Sequence, residues 1–259
     1  MGNEVIKAEK LCFKYKSQGE NIINDLSFSL DKGDVLVILG PNGAGKSTLL
    51  SCIMSDIRSY EGKILFDGKD VLTLSSKELS RKISFVSQMS ELSYEYTVEE
   101  MLLMGRTPYL AFFERPSEED TLAVHKILEE NGLLKFKDRI FSTLSGGERQ
   151  IVLIARALAQ DTDVIVLDEP SSALDIKMQS RVAALVSSLA KKGKTVIMTT
   201  HNPSAALLSG CKVLLMGKEK SLFGAADELI TEQNLTELYG CAVKVALVEG
   251  IGRVCISGI

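Results

Sequence analysis

The chain has 259 residues, 45% of them hydrophobic and 25% charged, with a net charge of −4 and a pI near 5.4. That is enough for one large domain with an ample core, and the acidic balance disfavours a general nucleic-acid binder, whose backbone contacts need a basic surface. No apolar run is long enough to cross a bilayer and the start, MGNEVIKAEK, is not a signal peptide, so an intracellular chain that does not itself span a membrane is expected.

From the N-terminus, Leu26, Phe28 and Leu30 alternate with Ser27 and Ser29, which predicts a half-exposed strand over residues 22–30. Asp31-Lys32-Gly33-Asp34 reads as a turn. The continuous apolar run Val35 to Leu39 predicts a strand buried on both faces. It leads into GPNGAGKST, Gly40 to Thr48, and then into a helix through Leu49 and Leu50. ISFVSQ, ending at Gln88, is strand-like. From about Met89 to Gln160 helical patterns take over, with capping-box spacings at Thr97/Glu100 and Ser117/Asp120, and predict a helical insertion. Val164 to Leu167 and Thr195 to Thr200 predict two further buried strands, separated by a helix over roughly residues 176–191. The alternation predicts an open, mostly parallel sheet with helices on both sides. In such sheets ligands bind at the carboxyl ends of strands, where the glycine loop, Asp168-Glu169 and His201 all fall.

Five cysteines, with no C-x-x-C, read as free thiols, and two histidines are too few for the usual zinc cluster. His125, in an amphipathic stretch, reads as an ordinary surface or core residue.

Three motifs carry chemistry. GPNGAGKST fits G-x-x-x-x-G-K-[ST] after a strand and before a helix: Gly40, Gly43 and Gly45 let the backbone turn its N–H groups toward phosphate, Lys46 adds a charge near the β- and γ-phosphates, and Ser47 offers a hydroxyl to Mg²⁺. At the end of a buried strand, Asp168 can hold Mg²⁺ and Glu169 can orient and polarise an attacking water; the bland reading is a pair of acids at a sheet rim. His201 ends the next strand and could hydrogen-bond a γ-phosphate or that water. The third motif is LSGGE. Ser145 and Glu148 have capping-box spacing, so it could simply start a helix, yet Gly146 and Gly147 together weaken that helix by roughly 1 kcal/mol each. Bare backbone makes sense if a phosphate held elsewhere must approach closely.

In order, GPNGAGKST, Gln88, LSGGERQ, VIVLDEP, SALD and His201 resemble the motif series of the ATP-binding cassette nucleotide-binding domains, over essentially the whole chain. The resemblance implies a phosphate-loop NTPase (RecA-like) core with a mostly parallel sheet, an N-terminal antiparallel β subdomain and an inserted helical subdomain. It implies a single domain over 1–259, with 1–88 and 161–259 as the α/β core and 89–160 as the helical part. It implies ATP and Mg²⁺ as ligands. Nucleotide would be bound by Tyr15, Gly40, Asn42, Gly43, Ala44, Gly45, Lys46, Ser47, Thr48 and Gln88, with Ser47, Gln88 and Asp168 toward Mg²⁺ and Glu169, His201 and Lys46 in hydrolysis. Tyr15 resembles the aromatic that stacks on adenine, with Phe13 a close competitor. In a head-to-tail homodimer, Ser145, Gly146, Gly147, Glu148 and Asp175 of one copy would reach the nucleotide of the other, so the lysine-free site meets an ATP its partner already clamps. Ile151 departs from the basic residue many relatives carry there. Tyr96 to Asp120 and Asn234 to Val245 resemble importers of iron chelates, haem and cobalamin. The expectation is an ATPase on the cytoplasmic face of the membrane, beneath two permease subunits and served by a substrate-binding protein.

Two other functions compete. A soluble ATPase of the same type acting on nucleic acid or ribosomes is disfavoured by the acidic balance, the single phosphate loop and the lack of a long coiled coil. A nucleotide-dependent assembly switch that is not an enzyme is disfavoured by the presence of both Glu169 and His201.

Overall fold

The computed structural model describes residues 4–15, 19–87, 95–111, 113–172, 174–207, 210–217, 220–249 and 252–257. Gln88 lies outside the described residues. The chain divides into two compact units, Met1–Leu74 with Leu185–Ile259, and Ser75–Ala184.

The chain begins with β1 (Glu4–Phe13), β2 (Ile23–Asp31), β3 (Val35–Leu39), α1 (Lys46–Ile53), β4 (Glu61–Phe66) and the short β5 (Lys69–Asp70). Strands β2, β1, β4 and β5 form an antiparallel sheet in that order. In β2 the predicted alternation holds, with Leu26, Phe28 and Leu30 buried and Ser27 exposed. One face of this sheet therefore feeds the core and the other meets solvent.

Next come α2 (Ser76–Ser80), β6 (Ile83–Val86), α3 (Val98–Leu103), α4 (Glu118–Glu130), α5 (Gly146–Ala159), β7 (Val164–Leu167) and α6 (Ile176–Lys191). Strands β6 and β7 pair in parallel, Ile83 opposite Val164 through Val86 opposite Leu167. Reciprocal capping boxes start α2 (Ser75/Glu78), α3 (Thr97/Glu100), α4 (Ser117/Asp120) and α5 (Ser145/Glu148). Each satisfies two backbone donors that a helix start otherwise leaves without partners.

The rest of the chain is β8 (Thr195–Thr200), β9 (Lys212–Met216), β10 (Ser221–Ala225), α7 (Ala226–Leu229), α8 (Glu232–Tyr239), β11 (Val243–Val248) and β12 (Gly252–Ser257). Strand β3 lies between β8 and β9 and is parallel to both, and β10 runs antiparallel on β9. Every residue of β3 and β8 is buried, the threonines of β8 included, as strands covered on both faces of a parallel sheet are. Strands β11 and β12 form a separate antiparallel hairpin. The class is the expected one: α/β, mostly parallel, with an antiparallel N-terminal sheet and a helical segment.

Within the second unit, one ion pair ties the helices together. Arg106 Nε donates to Asp120 Oδ1 at 2.8 Å, and its Nη1 donates to the Ala159 carbonyl at 3.0 Å, joining the start of α4 to the end of α5. The Arg106 hydrogen bond, with those from Ser117, holds the Asp120 carboxyl below its ordinary value of 3.8. A depressed carboxylate adds stability that is complete above its unfolded pKa and is lost as pH falls through the folded one. Asp120→Asn is therefore expected to lower stability by roughly 1–2 kcal/mol at neutral pH. Urea midpoints measured across pH should show that deficit constant down to about pH 4 and shrinking below it. A deficit that grows in acid would show the pair to be unimportant.

All five cysteines are free. Burial pushes the Cys52 thiol up to about 12 and Cys211 up to about 11, which leaves both protonated and unreactive.

Candidate nucleotide site

The first unit carries Tyr15, the glycine loop and His201; the second carries Ser145 to Glu148, Asp168, Glu169 and Asp175.

The loop follows directly from β3, and its glycines are dictated by the surrounding backbone. Gly43 and Gly45 lie at φ +80° and +92°, where a side chain is strained. A Cβ at Gly40 would stand 2.5 Å from the Met216 carbonyl oxygen, and one at Gly45 would stand 2.6 Å from Ile22 Cγ2. Ile22 and Met216 are thus the wall against which the loop is pressed, and no local pattern in the sequence announces either. Asn42 and Gly43 are exposed and Ala44 is buried. Gly45 precedes α1 in the left-handed region and makes no side-chain cap. The first turn of α1, Lys46, Ser47 and Thr48, therefore begins with no side-chain cap laid across it, the kind of helix start that can receive phosphate. Lys46 is only 7% exposed. Its ammonium curls back over the loop and donates to the Gly40 carbonyl at 2.8 Å and the Pro41 carbonyl at 3.2 Å.

Tyr15 and Phe13, close competitors in the sequence, are separated by the structure. Phe13 is buried in β1, whereas Tyr15 is 41% exposed, with its hydroxyl 3.4 Å from Thr48 Oγ1. The two rings meet edge to face at 4.9 Å. Tyr15 therefore stands in solvent beside the first turn of α1.

In the second unit, Asp168 directly follows β7 and its N–H donates to the Val86 carbonyl at 2.9 Å. Glu169 comes next with φ +47°, a left-handed conformation unusual for a residue with a side chain. The Ser172 N–H and hydroxyl both donate to the Glu169 carbonyl, at 3.1 and 3.0 Å, and hold that turn. Asp175 Oδ1 accepts the Met178 N–H at 2.8 Å, so this aspartate caps α6.

The start of α5 is both a cap and bare backbone. The Glu148 N–H donates to Ser145 Oγ, while Ser145 N–H and Oγ–H donate to the Glu148 carboxylate at 2.9 and 2.7 Å. These bonds hold the Glu148 carboxyl below its ordinary range, the Ser145 hydroxyl contributing most. The two glycines differ in cause. A Cβ on Gly147 would stand 2.6 Å from Met178 Cγ, so packing on α6 already requires glycine there. A Cβ on Gly146 would meet nothing within 4 Å. Internal packing thus accounts for one glycine and leaves the other unaccounted for.

His201 follows β8 and is exposed; its backbone carbonyl accepts the Tyr239 hydroxyl at 3.2 Å. His125 Nε2 pairs with Glu99 Oε1 in the second unit, well away in sequence from any motif.

Comparison with known proteins gives the family. The ABC transporter family profile matches residues 23–172. The chain belongs to the ABC transporter family. The molybdate import ATP-binding protein MolC of Haemophilus influenzae is 38% identical over 239 residues, 92% of this chain and 88% of that protein. The iron(3+)-hydroxamate import ATP-binding protein FhuC of Bacillus subtilis is 34% identical over 220 residues, 84% of this chain and 82% of that one. Among solved structures, a chain described as part of a metal-chelate type ABC transporter in an inward-facing conformation has a TM-score of 0.89 and 33% identity, over 99% of this chain and 98% of that chain. As a member of the ABC transporter family the chain is an ATPase, and ATP is its nucleotide. Among the described residues no helix is long and apolar enough to cross a membrane.

Proposed function

We propose that this chain is the ATP-hydrolysing subunit of an importer of metal chelates, of the iron-siderophore, haem or cobalamin type. It works as a head-to-tail homodimer on the cytoplasmic face of the membrane, beneath two permease subunits fed by a substrate-binding protein. The observation that carries the metal-chelate reading is the likeness over 99% of the chain, at 33% identity, to a metal-chelate type transporter. Relatives named for hydroxamate, petrobactin and hemin import support it.

Each candidate residue has a task suited to its place. The N–H groups of Gly43 to Thr48 and the Lys46 ammonium bind the phosphates. The exposed ring of Tyr15 stacks on adenine. Ser47, Asp168 and Gln88 would hold Mg²⁺, to which hard oxygen donors are suited, and which when bound neutralises charge on the β- and γ-phosphates. Glu169 accepts a proton from the attacking water, and His201 orients the γ-phosphate. From a second copy, the N–H groups of Gly146 and Gly147 approach the terminal phosphate as they stand. Ser145, whose hydroxyl proton is aimed at Glu148, must first turn away from it. Asp175 completes that edge. On this reading 1–88 and 161–259 act as the nucleotide-binding core and 89–160 as the segment that meets the permease.

Molybdate is a second cargo, favoured by the relative at 38% identity. The deciding experiment copurifies the membrane chains bound to this subunit, reconstitutes them and measures ATP-driven uptake of ferric siderophore, haem, cobalamin and molybdate. Accumulation of at least one metal chelate, well above that of molybdate, is expected. Uptake of molybdate alone would overturn the metal-chelate reading, and recovery on ribosomes without membrane chains would overturn the importer.

A further inference from the structure

The segment after β8 is held from outside by the C-terminal elements. Within the segment, Asn202 N–H donates to Thr200 Oγ1 at 3.1 Å and Ser204 N–H donates to Asn202 Oδ1 at 3.0 Å, forming a tight polar turn. From α8, the last helical residue, Tyr239, donates its hydroxyl to the His201 carbonyl at 3.2 Å. From β12, the Cys255 N–H reaches Ser204 Oγ at 3.4 Å. The Tyr239 phenol is pushed up to about 12 by burial, so it keeps its proton and remains a donor at any physiological pH. Its ring also lines a cavity of about 730 Å³ whose wall includes Pro41 of the phosphate loop with Leu238 and Glu237 of α8.

We propose that Tyr239 is a positioning residue for His201: its hydroxyl fixes the His201 backbone, and with it the direction in which the imidazole leaves β8. The inference rests on the reading of His201 as the group that orients the γ-phosphate. The Tyr239 bond lands on the carbonyl just past β8, where a side-chain donor helps set the orientation of the peptide plane. The imidazole then starts from a defined Cα–Cβ direction, which is what a hydrogen bond to a phosphoryl oxygen needs within a few tenths of an ångström. Tyr239 itself touches no nucleotide in this proposal.

The test uses the full-length chain. Tyr239→Phe removes the hydroxyl and keeps the ring in the cavity wall. Turnover number in Mg-ATP is expected to fall about 3- to 10-fold, the worth of one hydrogen bond, with KM for ATP unchanged. In a His201→Ala background the same substitution is expected to change the residual rate by less than about 2-fold, because no imidazole remains to be aimed. Since the chain has only two histidines, ¹³C labelling at the imidazole gives two signals. Tyr239→Phe should move or broaden that of His201 and leave that of His125 in place. An unchanged His201 signal together with unchanged turnover would overturn the proposal. So would an equal fractional loss in the His201→Ala background, which would assign Tyr239 to general stability. If His201→Ala alone kept full turnover, the role of His201 itself would fall, and the two imidazole signals would still decide whether Tyr239 positions it.

Discussion

Lys46→Ala is expected to weaken ATP binding about 30- to several-hundred-fold and to abolish measurable hydrolysis, with the fold intact. The side chain is buried and its ammonium already held by the Gly40 and Pro41 carbonyls, so on the proposed reading it meets the phosphates with its position set in advance. Charge-assisted hydrogen bonds to such groups are worth roughly 1.5–3 kcal/mol, and each 1.4 kcal/mol is a factor of ten in affinity. The N–H groups at the start of α1 survive the substitution, which is why weakened binding is expected and not a complete loss. Calorimetric titration with Mg-ATP gives the affinity, and a melting curve confirms the fold. An affinity within threefold of the unmodified chain would remove Lys46 from its assignment, whatever happened to turnover.

Glu169→Gln is expected to lower the hydrolysis rate by about 10²–10³-fold while leaving ATP affinity within a few-fold. The substitution keeps size and hydrogen-bonding reach and removes only the ability to take a proton. The backbone at Glu169 supports this assignment. A left-handed residue with a side chain costs on the order of 1 kcal/mol and persists where its surroundings hold it, here through two bonds from Ser172 to its carbonyl. That turn sets where the carboxylate emerges beyond β7. Because ATP then stays intact, the variant should also accumulate as a dimer in Mg-ATP, measured by light scattering on a sizing column. Normal phosphate release would end the role of Glu169. A variant blocked in hydrolysis yet monomeric in saturating Mg-ATP, with its permease supplied, would end the two-copy site.

The legible part of the fold is the part governed by short-range rules. The run Val35 to Leu39, the strands ending at Leu167 and Thr200, and the helix Ile176–Lys191 lie where periodicity and apolar runs put them. The capping boxes at Thr97, Ser117 and Ser145 are present because their chemistry is complete within four residues. The phosphate loop was legible for the same reason. What escaped were contacts between distant positions. Nothing near Gly147 announces Met178, and nothing near Gly40 or Gly45 announces Met216 or Ile22, yet those side chains and carbonyls require the glycines. The left-handed turn at Glu169 and the bond from Tyr239 to His201 are equally silent, since each is set by where the backbone is led and not by residue type. The hairpin of β11 and β12 also went unread, the apolar and polar alternation of Val243 to Val248 being weak.

The helix starts at Lys46 and Ser145 answer their own polar groups to different degrees, and this ranks them as anion receptors. The first has no side-chain cap, and the Lys46 ammonium that curls over the loop adds a positive charge there, which favours an anion. The second closes on itself through Glu148, whose negative charge disfavours a free phosphate ion. A repellent mouth stays quiet until a triphosphate is delivered to it rigidly and at close range. On the two-copy reading proposed above, filling of the first helix start would precede pairing, and pairing without a bound triphosphate would gain little.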